Sequence, residues 1–351
     1  MYKLVFHNGL KKILYYVSDH GKGHATRSIA IIQEMLKHNI EVIVRNTNAL
    51  EFFNQSLPNT KIIPGKTDVG STIKKDGFSI DKNKTKENQI KWIQDLEKNS
   101  IAEKHVAEEI NPDLIVSDIS AIPFLVAKQI SVPSVAISNF SWYDVLNFLP
   151  SNELTELKSA YNEADLAIKL PLGTPMNHFK KKLKTGLVSR TTNLSKQELH
   201  RTFQMDNYKY SVLFALSGSN FTVSCKKTKD VKIFSMNTKI QGSLRSSDYT
   251  NLINGHDLVS NSDLVICKCG YGIISECLTN GIPFYYVIDN EHLEQKSISK
   301  ELENMGLSNR IMLNDINNIT LSPEKLESLQ IFHEPNDVNS VVEHLYQFIK
   351  N

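Results

Sequence analysis

The chain has 351 residues, 40% of them hydrophobic and 22% charged, an ordinary globular composition whose length suits two domains better than one core. Its formal net charge of +2 gives no basis for nucleic acid as the main partner. No apolar run of about 18 residues and no apolar signal-peptide core occurs, so a soluble cytoplasmic protein is expected. Cys225, Cys267, Cys269 and Cys277 lack the paired C-x-x-C spacing of a zinc site and read as free thiols of a reducing compartment.

The first apolar run, Ile13 to Val17, has the length and β-branched or aromatic character of a buried strand. Ile29, Ile32 and Leu36 then recur at helical spacing, and a second strand follows at Ile40 to Val44. The stretch SDHGKGHATR, Ser18 to Arg27, is therefore a strand-to-helix turn at the carboxyl edge of a parallel sheet, where helix amides favour anions. Gly21 and Gly23 either make a tight turn or let a ligand approach the backbone. His24 and Arg27 favour the second reading, because folding the turn requires neither an imidazole nor a guanidinium. A third glycine and an acidic residue after the second strand are missing, which disfavours a nicotinamide cofactor, and G-x-x-x-x-G-K-[ST] is absent too. His20 and His24, split by two glycines and without a metal-site glutamate, are a poor zinc pair.

The alternation continues with a strand at Lys61 to Ile63, one long amphipathic helix ending near Ile110, the strand DLIVSD, a helix at Ala121 to Gln129 and the strand SVAIS. The polar stretch Lys66 to Glu87 is too long for an ordinary connection and reads as a loop over a cleft or as disorder. Lys180, Lys181, Lys182 and Lys184 read as a solvated interdomain segment, with contact to a membrane surface as the other reading. From YSVLFALSGSN the pattern restarts and runs through VKIFSM, DLVICKCGYGIISECLTNGIPFYYV and a helix near His292. A final helix, Val338 to Ile349, could pack on either domain. The division expected is 1–170, 171–336 and a closing helix in 337–351. Two doubly wound α/β domains would face each other across a cleft, with polar residues gathered at the strand ends of both.

GKGHATRSIAI, DLIVSDISAIPFLVAKQISVPSVAISNFSW and SDLVICKCGYGIISECLTNGIPFYYV resemble GT-B glycosyltransferases of the type that includes the lipid-linked N-acetylglucosaminyltransferase of peptidoglycan synthesis. The resemblance is greatest to the glycosyltransferase-like N-terminal half of plant L-arabinokinase and does not extend to its kinase half, so sugar phosphorylation is not implied.

The resemblance implies a nucleoside-diphosphate sugar, uridine-linked by the same resemblance, as donor substrate on the second domain, an unidentified acceptor on the first, and no other cofactor. Lys268, Gly270, Tyr271, Gly272, Ser275 and Glu276 would form the donor block. There the glycines admit the diphosphate, helix amides meet it, and Glu276 holds the ribose unless it is only a solvated helix residue. Ser217, Gly218 and Ser219 would make a second phosphate-facing turn, and Glu291, Glu294 and Gln295 would touch the donor sugar. His24 matches the family's histidine and would be the base, with Gly21, Gly23 and Arg27 beside the phosphates. Asp118 would orient His24, act as the base itself, or cap a helix. Asn139, Ser141 and Trp142 would meet the acceptor, Trp142 as a sugar platform or else as a core residue beside Phe140. The implied reaction is an inverting, metal-independent transfer. A nucleotide-sugar hydrolase and a non-catalytic nucleotide-sugar binder are the alternatives.

Overall fold

The structure is a computed structural model that describes residues 11–216, 222–227, 229–240, 246–249, 254–307 and 309–350. Two parallel sheets organise it. The first contains β1 (Lys11–Val17), β2 (Ile40–Arg45), β3 (Lys61–Ile63), β4 (Leu114–Asp118), β5 (Ser134–Ser138), β6 (Leu166–Lys169) and β7 (Lys182–Lys184), in the order β3-β2-β1-β4-β5-β6-β7. The second contains β8 (Tyr210–Ala215), β9 (Val231–Met236), β10 (Ser246–Tyr249), β11 (Leu264–Lys268) and β12 (Phe284–Val287), in the order β10-β9-β8-β11-β12. Every pairing within these two sheets is parallel. The inner strands are buried along their length because helices cover both sheet faces, which is why IVSD and LVICK read as runs rather than alternations.

Both sheets therefore wind outward from their first strand in both directions. The strand order reverses between β1 and β4 in one and between β8 and β11 in the other, and a crevice opens beyond the strand ends at each reversal. These are two Rossmann-like domains facing a central cleft, the α/β GT-B arrangement.

The helices used below are α1 (Gly21–Leu36), α2 (Lys82–Gln94), α3 (Leu96–Ile110), α4 (Ile122–Ile130), α5 (Tyr271–Asn280), α6 (Leu293–Asn304) and α7 (Val338–Lys350). The single long helix expected before Ile110 is two, α2 and α3, which break at Asp95. The division expected at residue 170 also moves, because β7 pairs with β6 and extends the first sheet to Lys184. Lys182 and Lys184 thus stand on an edge strand, where lysines discourage pairing with another chain. Helix α7 returns to the first domain and packs on α1, burying Val341, Leu345 and Ile349, with Tyr346 edge-on to His38 at 5.4 Å. Among the described residues no helix is long and apolar enough to cross a membrane.

The stretch after β3 is ordered. Residues 66–81 form a strap that leaves the first domain, turns through the bridge Ile73↔Ile80 and inserts Phe78 among Tyr210, Val212 and Phe214 of the second. Its far end is tied by the Ile80 amide donating to Asp289 Oδ2 (2.8 Å), and beyond it Lys82 pairs with Glu291.

Candidate active site

The first wall of the cleft is built where β1 feeds α1 and β4 ends. Asp118, the last residue of β4, is 1% exposed and accepts from four groups of the first domain. Arg27 Nε reaches its Oδ2 at 2.8 Å and Arg27 Nη2 its Oδ1 at 2.5 Å, while Ser28 Oγ donates to Oδ2 at 3.1 Å. The fourth group is His24, whose Nδ1 stands 2.9 Å from Oδ1. Burial alone would raise the Asp118 carboxyl, but the charges of Arg27 and then His24, with their hydrogen bonds, take it down from 3.8 to about 2.

That ionised carboxylate decides the His24 tautomer. Arg27 Nη2 also lies 2.8 Å from His24 Nδ1, yet its two hydrogens go to Asp118 and to Ser138 Oγ at 3.1 Å. Nδ1 therefore carries the proton and donates to Asp118, which leaves the Nε2 lone pair available on a residue that lines the cleft. Asp118 is accordingly an orienting group; it caps no helix either, since α4 begins after Ala121 without a side-chain cap.

The opposite wall is the start of α5. Gly270 and Gly272 flank Tyr271 where the helix's unpaired amides face the cleft. A Cβ on Gly272 would come within 2.8 Å of Thr26 Oγ1 on α1, so a larger residue there would have to displace that side chain. Two helix N-termini thus meet across one cleft of about 420 Å³. The Tyr271 ring lies under Arg27 (5.3 Å to the centroid), and its hydroxyl accepts from the Val188 amide. Glu276 is buried, and both Arg190 nitrogens that reach it, Nε and Nη2, bond Oε1 at 3.0 Å. Among the described residues no hydrogen bond reaches Oε2. Burial raises the Glu276 carboxyl and Arg190 opposes that rise.

Lys268 ends β11 and donates to the Phe78 carbonyl of the strap at 3.0 Å, which leaves two ammonium hydrogens. Burial lowers its pKa, opposed by Asp289 and Glu294. Glu294 and Gln295 line the cleft as well, whereas Glu291 is exposed and paired with Lys82 away from it. Ser275 is buried, donates its hydroxyl to the Gly272 carbonyl, as helical serines do, and is not among the residues that line the cleft. Ser217, Gly218 and Ser219 follow β8 and lie outside the described residues.

The three residues expected to meet the acceptor are built into the wall. Asn139 gives its Oδ1 to Arg27 and its Nδ2 to the Leu172 carbonyl, and Ser141 caps the short helix Trp142–Val145. Trp142 is 4% exposed, edge-on to Phe140 and His20, with its indole N–H donated to Asp68. No face of the indole is left for a sugar, so the core reading holds for it. Among the described residues no group of three or more His, Cys, Asp or Glu is placed to hold a metal ion.

Sequence reasoning missed Arg190, Asp68 and Phe78 and left His20 without a role. Each depends on long-range pairing that motif spacing does not encode. For Arg190 the only signal was an isolated arginine after the apolar pair Leu187 and Val188.

Residues 11–200, more than half of the chain, match the family described as glycosyl transferase family 1. The chain belongs to this family. Over 313 residues it is 24% identical to L-arabinokinase of Arabidopsis thaliana, a match that takes in 82% of this chain but only 29% of that protein. Among solved structures, the spinosyn forosaminyltransferase SpnP superposes with a TM-score of 0.61 at 11% identity, covering 98% of this chain and 100% of that chain. UGT89C1 of Arabidopsis thaliana, solved with UDP-L-rhamnose, gives 0.58 at 9% identity and covers 98% and 91%. At these identities the structural likeness speaks for the GT-B fold.

Proposed function

We propose that the protein moves a sugar from a uridine diphosphate sugar to an acceptor hydroxyl, with inversion and without a metal ion. The observation that carries this reading is the Asp118-oriented His24, which lines a cleft whose other wall is the N-terminus of α5. UGT89C1, of the same fold, is solved with a UDP-sugar, which favours uridine as the base.

On this reading Glu276 Oε2 accepts from the ribose hydroxyls, and the α5 amides with Lys268 balance the charge of the diphosphate. The acceptor oxygen attacks the anomeric carbon from the face opposite the diphosphate while His24 Nε2 takes its proton. One carbon–oxygen bond forms as the bond to the diphosphate oxygen breaks, so the configuration inverts. Asp118 stabilises the imidazolium that results. Compensation by helix amides and a lysine is what makes a metal unnecessary.

The test is to incubate the protein with UDP-hexoses and a panel of acceptors, with and without a chelator, and to assign the anomer of the product. A retained configuration, or activity lost to the chelator, would overturn the mechanism. Free sugar formed without an acceptor would make the protein a hydrolase, and binding without turnover would make it a sensor.

A further inference from the structure

His20 lines the cleft beside His24, their ring centroids 6.3 Å apart, and the mechanism above does not use it. Its environment is built to hold one ring orientation. The Ser71 amide of the strap donates to His20 Nδ1 at 3.2 Å, and Trp142 packs edge-on at 5.4 Å. Gly70 closes the third side at φ +59°, and a Cβ there would approach Nδ1 to 2.5 Å. The Gly70 carbonyl is in turn held by Gln89 on α2, so the strap is braced where it meets the ring.

An amide can only donate, so Nδ1 is the acceptor and the ring proton is on Nε2. Among the described residues nothing accepts from Nε2. Burial, followed by the charges of His24, His292 and Lys268, lowers the His20 pKa to about 3, so the ring stays neutral across the physiological range. His20 lines the same cleft as the proposed base and as His292, Glu294 and Gln295, the segment where the transferred sugar would lie.

We propose that His20 is a sugar-binding residue, a fixed Nε2–H donor to a hydroxyl of the transferred sugar, oriented by the strap through Ser71. This rests on the donor reading above. A protonated imidazole could lose its proton to the departing diphosphate, whereas a neutral one with its tautomer set from behind can only donate a hydrogen bond. That division assigns recognition to His20 and proton transfer to His24.

Titration calorimetry with UDP, UDP-glucose, UDP-galactose and UDP-N-acetylglucosamine tests the proposal. Wild type should bind at least one sugar nucleotide more tightly than UDP. His20→Leu should lose about fivefold of that preference with UDP affinity unchanged, and His20→Gln, which keeps both an acceptor and a donor, should restore most of it. An unchanged preference in His20→Leu overturns the proposal, as does a wild type that binds UDP but no sugar nucleotide more tightly. A wild type that binds none of the four overturns the donor reading too. Should His20→Leu fail to fold, the histidine ring ¹⁵N–¹H spectrum of wild type decides: the His20 Nε2–H resonance should move with a sugar nucleotide and not with UDP, and a stationary resonance refutes the contact.

Discussion

Arg27 and Asp118, 91 residues apart in the chain, form a buried two-point ion pair, Nε to Oδ2 at 2.8 Å and Nη2 to Oδ1 at 2.5 Å. The pair joins α1 to the end of β4 and leaves one direction open on Oδ1, from which His24 approaches. Arg27 is 2% exposed, lies over Tyr271 of the second domain and lines the cleft, with its guanidinium bonded to Asp118, Asn139 and Ser138.

Removing the guanidinium strands a buried carboxylate. Arg27→Ala should lower unfolding free energy by about 3–5 kcal/mol, and Arg27→Lys should recover only part of this, since an ammonium cannot make the two-point bond. Urea denaturation of the three proteins measures it; a loss below about 1 kcal/mol would mean the pair behaves as a surface bridge.

Asp118 also sets an acid limit. Its folded pKa is depressed from 3.8 to about 2, so its stabilisation is full above about pH 4 and is lost as the pH falls from there toward 2. Asp118→Asn should flatten the stability curve in that window. It should also abolish turnover while sparing UDP affinity, because the amide no longer dictates the His24 tautomer. Thermal melts between pH 2 and pH 6, with nucleotide titrations at neutral pH, check both.

His24→Ala should remove turnover with UDP affinity largely kept. Single-turnover assays beside calorimetry separate the two, and an active variant would exclude His24 as the base.

For the ribose contact the informative variant is Glu276→Gln. It keeps an oxygen for Arg190 and loses the carboxylate's charge, so UDP should bind about tenfold more weakly, while the melting temperature falls because the buried Arg190 loses the charge of Glu276. Unaltered affinity would remove Glu276 from the donor site. Glu276→Ala is a poorer test because it also removes the side chain that Arg190 bonds.

The strap is fastened by Phe78. Phe78→Ala removes a buried aromatic and with it the ring over which Lys268 lies at 4.8 Å. Local opening should exceed global loss of stability. Trypsin should then cut after exposed Lys74 or Lys75 faster than in wild type at temperatures well below the melt. Equal cleavage rates would show that the strap is held by its remaining contacts alone.

The alternation of apolar runs and helical periods made the two Rossmann-like domains legible, because strands buried on both faces must be continuously apolar and their crossover helices amphipathic. The strand-to-helix turns at Gly21 to Arg27 and Gly270 to Glu276 were legible for the same reason: glycines and isolated charges at a sheet edge have few other uses. The sequence left the core and ligand readings of Trp142 open, and set Asn139 and Ser141 toward a ligand, because a polar or aromatic residue after a strand looks the same whether it faces a ligand or a neighbour. Only packing assigns Trp142 to Asp68 and Asn139 to Arg27. Local sequence thus determined which residues reach the sheet edges. The tertiary structure decided how they divide the work, since hydrogen-bond partners from β4, the strap and Arg190 fix each group's tautomer, charge and direction, and none of them is near in sequence.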